Sequence, residues 1–409
     1  MKQRGKWARL VGIVLLTLMT TTACWDAREL DKDASVQILG YDLQTGGSPN
    51  KNALITASLV MWEHASSQQG GQGEGSELDY LQASGATFFD AIQNLSRSLA
   101  NHLDFSHHIA SVFSQEMASS REFQEVIDRT TRMREFRRRI LFFVTSDHAE
   151  SVICAQVHHA MQIGLGLKGL SDQMTMQQTS PKIDASQFLY DLSTPGIDPW
   201  LPRVDLVPAA QKNSPLARSE KKQSPFLQTN GAGVFQGFHW VGWLSPEDTR
   251  GILWLRDQSG EPTFTIPWQG ERVTVLTEQI HTRVKVLQPG NASATIPPKF
   301  GVWVKWRGSI AMFAGRKTSQ LNAEQIYSIE KSVQQSLLQT LQQSVRQSQN
   351  LHADVAGFGN CLYRKYPTLY QAYAPRWDSQ VFAKSQVEYW FDVHLSGSGL
   401  TTRPPIYRP

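Results

Sequence analysis

The chain has 409 residues, 40% hydrophobic and 19% charged, with 12 tryptophans and a formal net charge of +4. That balance describes folded domains and excludes a disordered chain, and the length suits two or three domains. Lys2, Arg4, Lys6 and Arg9 alone carry charge equal to the net value, so the remainder is near neutral and lacks the basic excess on which nucleic-acid binding depends.

Behind that basic head, Leu10 to Met19 form an apolar run of secretory h-region length, too short for a permanent span, which needs about 20 apolar residues. Residues 1–23 are therefore expected to be an export signal. Cys24 follows the small Ala23, where a bacterial lipoprotein signal is cut and the new N-terminal sulfur receives a diacylglyceryl group. Each buried lipid methylene contributes about 0.8 kcal/mol, so two acyl chains hold far better than one. Thr21 stands where Leu or Val is usual, which keeps open an ordinary cleaved signal with a chance cysteine. No later segment reads as a membrane span, so the chain is expected to be anchored and not to form a channel or transporter.

Ala34–Asp42 and Asn52–Trp62 read as a hairpin around Gly46-Gly47-Ser48-Pro49-Asn50, and the Gly/Ser/Gln tract Ser66–Ser76 as a solvated loop. Phe88–Leu99 places Phe88, Ile92, Leu95 and Leu99 on one helical stripe, and Phe105–Phe113 reads as a strand. Phe123, Val126, Ile127 and Met133 mark a second helix, Ile140–Thr145 a buried strand, and Ala149–Val157 a third helix. Strands followed by alternating helices and strands predict an α/β or α+β fold with a mixed sheet.

Seven prolines between 181 and 225 and the polar stretch Lys212–Lys222 suggest a linker or a loosely built crossover over Ser180–Ser224. Beyond it, Gly231–Leu244 reads as a hairpin turning at Gln236-Gly237, and Arg272–Leu287 and Val302–Phe313 as strands. Ile326, Ile329, Val333, Leu337, Leu341 and Val345 then predict a helix over 323–349, capped by Asn322 with Gln325 and packed on its own sheet. The expected division is 1–23 signal, 24–205 N-terminal domain, 206–228 linker and 229–402 C-terminal domain.

Nothing in the chain spells out catalysis. His107-His108 and His158-His159 are adjacent pairs without the i, i+4 spacing of a helical zinc site, so surface or satisfied structural histidines are expected. Gly164–Gly169 reads as a loop, with no Gly-Lys-Ser/Thr to cradle a phosphate. The five arginines of 132–139 could meet lipid headgroups or an acidic partner, although Glu122, Glu125, Asp128 and Glu135 take up part of the charge. Trp240, Trp243 and Trp254 are read as core strand residues. Cys154 and Cys361 are expected as two buried thiols in preference to a disulfide. No cofactor or metal is implied. From the residues alone, the competing reading is an exported solute-binding lipoprotein.

Six phrases in order give a more specific expectation. They are Cys24-Trp25-Asp26-Ala27-Arg28-Glu29-Leu30; Arg132-Met133-Arg134-Glu135-Phe136-Arg137; Gly231-Ala232-Gly233-Val234-Phe235 with Val241-Gly242-Trp243-Leu244; Asp248-Thr249-Arg250-Gly251-Ile252-Leu253-Trp254; Asp354-Val355-Ala356-Gly357-Phe358-Gly359; and Tyr363-Arg364-Lys365-Tyr366-Pro367 with Trp377. Together they resemble the Ger(x)C family, the lipoprotein C subunits of nutrient germinant receptors in endospore-forming bacteria. The resemblance implies a multi-domain α/β protein, divisible into three, on the outer face of the inner spore membrane. It implies integral membrane A and B subunits as partners, and a role in assembly and nutrient sensing without catalysis. Its structural or partner-contact candidates are Trp25, Asp26, Arg28, Glu29, Arg132, Arg137, Asp354, Gly357 and Gly359. Both arginines are expected to anchor a helix end or a buried carboxylate. The two glycines are expected to serve close backbone approach or a positive φ.

Overall fold

A strand flanked by apolar residues on both faces can only be stable in the middle of three layers, and the first half of the chain contains several such strands. The computed structural model describes residues 33–44, 54–62, 78–132, 137–155, 157, 162–207, 225–258, 260–293, 295–314 and 321–396. Cys24, Trp25, Asp26, Arg28 and Glu29 lie outside the described residues, as do the 46–50 turn, the 66–76 tract, Met133, His158-His159 and the 212–222 stretch.

The expected hairpin is present as β1 (Asp33–Gln44) and β2 (Leu54–Trp62), antiparallel. A strand absent from the sequence reading, β3 (Leu78–Gly85), extends it. Next come α1 (Phe88–Ser96), β4 (His102–Asp104), β5 (Ala110–Ser114), the single turn α2 (Gln115–Ala118), α3 (Glu122–Arg132), β6 (Leu141–Thr145) and α4 (Ala149–Ile153). The chain continues through α5 (Ile163–Met176), α6 (Ala185–Ser193), β7 (Trp200–Val207), β8 (Phe226–Gln236) and β9 (His239–Leu244). Nine strands join in one sheet of order β3-β2-β1-β5-β6-β7-β8-β9, with β4 alongside β1. Every residue of β5 and β6 is buried. On one face Tyr41, Phe113, Phe142 and Val144 pack with Phe88 of α1, Phe123 of α3 and Phe188 of α6. On the other, Ile38, Val112 and Phe143 pack with Val152 of α4 and Leu167 of α5.

The sheet runs across the proline-rich region, because β7 pairs antiparallel with β8 from the far side of the 208–224 segment. The Ser180–Ser224 stretch is therefore not a linker from its start. It holds α6, capped by Asp184 accepting from the Gln187 amide, and β7, whose Trp200, Leu201 and Val204 are buried.

The second sheet has the order β10-β11-β12-β13: β10 (Thr263–Trp268), β11 (Glu271–Gln288), β12 (Lys299–Ala314) and β13 (Gln386–Leu395). Between the sheets lies α7 (Pro246–Leu255), started by Pro246 and a reciprocal capping box of Ser245 with Asp248. Between β12 and its parallel partner β13 the chain crosses over through α8 (Ala323–Asn350), α9 (Phe358–Lys365) and α10 (Pro367–Tyr373), as a parallel pair requires. The expected Asn322–Gln325 capping box is present, and Ile329, Val333, Leu337, Leu341 and Val345 of α8 are buried in the protein's own core. That core is continuous from the nine-stranded sheet to the four-stranded one. Among the described residues no helix is long and apolar enough to cross a membrane.

Several expectations need correction. Residues 105–109 are not strand: Asp104 accepts from the amide and hydroxyl of Ser106, turning the chain before β5 begins at Ala110. Gly164–Gly169 is not a loop but lies within α5, where a Cβ on Gly164 would stand 3.1 Å from Ile109 Cδ1. Glycine there lets the helix sit close to the sheet, at a cost in propensity of about 1 kcal/mol per residue. The β8–β9 turn is Gly237-Phe238, since Gln236 still pairs with His239. Because α4 stops at Ile153, Cys154 becomes its C-cap and is exposed, not buried. Cys361 is half-buried, and both are free thiols. Trp254 lies in α7, apart from Trp240 and Trp243, and its indole donates to Gln178.

Candidate functional site

The phrase Asp354–Gly359 follows α8 and leads into α9, and its aspartate is fully buried. One Asp354 oxygen accepts from the amides of Gly357 and Phe358 at 2.8 and 3.0 Å. The other accepts from the Gly359 amide at 2.6 Å and the Trp377 indole at 3.1 Å. The carboxylate thus caps α9, whose first amides have no partner within the helix. Gly357 has φ +82°, a left-handed conformation that only glycine enters freely.

Gly359 serves close approach. A Cβ there would lie 2.8 Å from the Gly196 Cα and 2.7 Å from Trp377 Nε1. Gly196, at φ +75°, belongs to the loop between α6 and β7, and the two segments are stitched together on both sides of this contact. The Asn360 amide donates to Gly196 O at 3.0 Å, and its side chain donates to Pro195 O at 3.1 Å. The Asp198 amide donates to Asp354 O at 3.1 Å, and the Asp354 amide returns a bond to the Asp198 carboxylate at 2.7 Å. Residues 195–198 and 354–360 therefore form a latch between the two halves of the chain.

A second tie lies beside it. Arg256, at the end of α7, grips the buried Asp191 of α6 with two nitrogens at 2.7 and 2.9 Å, and lies over Trp200 at 5.6 Å.

The latch borders a cleft of about 240 Å³ lined by Thr194, Pro195, Asp198, Tyr370, Trp377 and Asp378, among others. Burial and the Asp378 charge raise Asp198 well above the ordinary carboxylate range. Burial raises Asp378 as well, and it pushes Asp354 up to about 7 against the amides of Gly359 and Phe358. Three carboxyl groups at one junction favour retained protons over full ionisation. The Asp354 oxygens and the bonded Asp198 oxygen hold backbone, so this chemistry suits a structural latch. Among the described residues no group of three or more His, Cys, Asp and Glu could hold a metal ion.

The latch brings together Asp354, Gly357 and Gly359 of the sequence-derived candidates. Arg132 and Arg137 lie elsewhere, at the end of α3 and just before β6. Arg132, at the end of α3, is exposed and donates to Asp128 one turn back at 2.8 and 2.9 Å, a carboxylate that is itself half exposed. Arg137 is exposed, and its carbonyl accepts from the Ile140 amide in the turn before β6. His108 is buried with Nε2 2.7 Å from Ala110 O, and burial lowers its pKa to about 4. Trp240 and Trp243 lie 5.2 Å apart, with Arg203 over Trp243. Sequence reasoning missed Asp198, Asp378, Asp191 and Arg256, which no local motif marks. The weak signal was the run of turn-forming residues Pro195-Gly196-Ile197-Asp198-Pro199.

Comparison with known proteins places these features in a family. Residues 26–206 match the model of the spore germination protein N-terminal domain, and residues 230–399 match the model described as spore germination B3/GerAC like, C-terminal. Spore germination protein KC of Bacillus subtilis (strain 168) is 22% identical over 402 residues, covering 97% of each chain. GerQC of Bacillus cereus is 22% identical over 395 residues, covering 95% of this chain and 98% of its own. The crystal structure of the GerBC protein superposes with a TM-score of 0.52 at 14% identity, over 87% of this chain and 97% of that one, and shares the fold. Family models matched along both halves of the chain define a spore germination protein. The chain belongs to the Ger(x)C family, the C-subunit family of those proteins.

Proposed function

We propose that this chain is the lipid-anchored C subunit of a nutrient germinant receptor, tethered through Cys24 to the outer face of the inner spore membrane. It acts there without catalysis, by assembling with the integral membrane A and B subunits. The observation that carries the reading is similarity along 97% of both this chain and spore germination protein KC. The anchor is supported by the basic and apolar leader ending at Ala23-Cys24. The non-catalytic role is supported by a latch whose buried carboxylates hold backbone amides.

The test is nutrient-triggered loss of optical density in spores lacking this chain, complemented with wild type or Cys24→Ala at matched abundance. Restoration by wild type and failure of Cys24→Ala is the expected result. A deletion that changes no nutrient response would sink the reading. Full activity of Cys24→Ala would remove the anchor while leaving the receptor role.

A further inference from the structure

The four-stranded sheet has a face that no described helix covers. Its inner side carries Phe300, Val302, Val304 and Trp306, all buried against the core. On the outer side the register sets Arg283, Trp303 and Trp390 side by side across β11, β12 and β13. The two indoles stack at 4.6 Å and 10°, and Trp390 remains 41% exposed. They lean over Gly301, where an added Cβ would fall 2.6 Å from Trp303 and 2.9 Å from Trp390.

The flanking rows are cationic. Lys285 stands beside Gly301 with its ammonium 5.2 Å from the Trp303 ring, and Lys305 follows Trp303 on the same face. Lys299 and Arg307 also lie there, paired with Glu388 and Asp392. Five cations thus face Glu388 and Asp392, with Glu278 accepting from Ser396 beyond Arg307, and Arg283, Lys285 and Lys305 leave a positive excess on exposed side chains.

We infer that this open face docks on an anionic phospholipid surface, with the Trp303–Trp390 pair entering the headgroup layer and Arg283, Lys285 and Lys305 meeting lipid phosphates. The inference builds on the proposed membrane tether. Tryptophan favours the membrane–water boundary, and each basic residue near an anionic leaflet adds about 1 kcal/mol. A stacked indole pair standing on an open sheet face offers shallow contact with no pocket around it. A protein hot spot instead buries its aromatic anchor in a pocket. Docked this way, the C-terminal half would lie along the bilayer and not swing on its tether.

The test uses the mature chain from residue 24 with Cys24→Ser, so that no lipid anchor contributes. It is sedimented with vesicles of phosphatidylcholine alone or with phosphatidylglycerol added. Binding is expected only with phosphatidylglycerol and is expected to weaken at high salt. Lys285→Glu/Lys305→Glu should reduce it about tenfold or more. Trp303→Ala/Trp390→Ala should also reduce it, while Lys168→Glu on α5 leaves it unchanged. Circular dichroism confirms that each variant is folded. No binding, equal binding to both vesicles, or unchanged binding by both double variants overturns the inference. If both double variants keep vesicle binding but full-length anchored versions lose the nutrient response, the face belongs to an acidic protein partner and the inference is likewise overturned. The deletion assay decides the receptor role separately, so either reading can fail alone.

Discussion

Among the described residues, the nine-stranded sheet is covered on both faces and the four-stranded sheet on one, and the two regions differ in how their strands are written. In the first, β5 reads Ala-Ser-Val-Phe-Ser and β6 Leu-Phe-Phe-Val-Thr, buried throughout because helices lie above and below. In the second, β13 reads Gln-Val-Glu-Tyr-Trp-Phe-Asp-Val-His-Leu, alternating residues that face the core with residues that face solvent. A buried strand leaves its surroundings little freedom. A half-open one retains a surface that can change without disturbing the fold. The comparison places stability in the first sheet and adaptable surface in the second, with the 195–198/354–360 latch holding them together.

The hardest blow to that arrangement should fall in the two-faced sheet. Phe142 is fully buried and meets Phe113 edge-on at 5.4 Å. Phe142→Ala is expected to cost about 4 kcal/mol by leaving a cavity between sheet and helices, measured by chemical denaturation of the mature chain. Next comes the latch. Asp354→Ala strands three amides and the Trp377 indole, and a loss of about 3 kcal/mol is expected. An equilibrium curve that becomes biphasic in this variant would show that the two halves unfold separately once unlatched. A loss under about 1 kcal/mol would show that the latch does not hold the sheets together.

A smaller effect is expected where α7 crosses α8. A Cβ on Gly251 would stand 2.0 Å from Ser344 Oγ and 2.7 Å from Ser344 Cβ, so Gly251→Ala must push the helices apart. About 2 kcal/mol is expected, and the Gly251→Ala/Ser344→Gly double variant should recover part of it.

These positions also show what could be read before the fold was known. The α8 stripe from Ile326 to Val345 and its Asn322 cap were legible, because helical spacing and capping chemistry are local. So was the buried β6, a short apolar run between polar turns. Gly164–Gly169 misled because glycine disfavours an isolated helix, and only the sheet beneath α5 makes its small size useful. The latch was half legible. Asp354, Gly357 and Gly359 stand together in one phrase, but Asp198 lies 156 residues away. No spacing rule joins an aspartate to a partner brought there by a sheet crossover. The cationic outer face was illegible for a similar reason: Arg283, Trp303 and Trp390 become neighbours only through the register of three strands.

The latch also gives the molecule a pH dependence with a definite sign. An unfolded aspartate titrates near 3.9, whereas burial pushes Asp354 up to about 7 in the fold. Between those values the folded chain holds a proton that the unfolded chain has released. Stability from this group is therefore lost as pH rises from about 4 to about 7, and the loss levels off above that. Asp198 and Asp378 are raised too and act in the same direction. The facing groups are Tyr370 from α10, Cys361 from α9 and Gln236 from β8, while Arg256 from α7 is held by Asp191. Asp378→Asn removes one carboxylate from the junction. It should shrink the fall in stability between about pH 4 and pH 7. A pH profile identical to wild type would remove the junction as its source.

The smallest expected effect sharpens the comparison most, because it concerns the open face. Trp303 and Trp390 occupy directly paired positions, and their rings stack on each other at 4.6 Å. A double-mutant cycle of Trp303→Ala and Trp390→Ala should give a coupling of about 0.5 kcal/mol, the lower end for a stacked aromatic pair. Trp390→Ala alone should change stability by less than about 1 kcal/mol, as befits a residue on the solvent side. A buried tryptophan such as Trp306, on the neighbouring strand β12 but facing inward and donating to Thr277, provides the contrast. Trp306→Ala should cost about 4 kcal/mol. Two tryptophans on adjacent strands would then differ several-fold in cost, because one faces a core already closed by α8 and the other a surface left open. Equal costs would mean that the outer face is as tightly packed as the inner one, and the distinction between the two sheets would be lost.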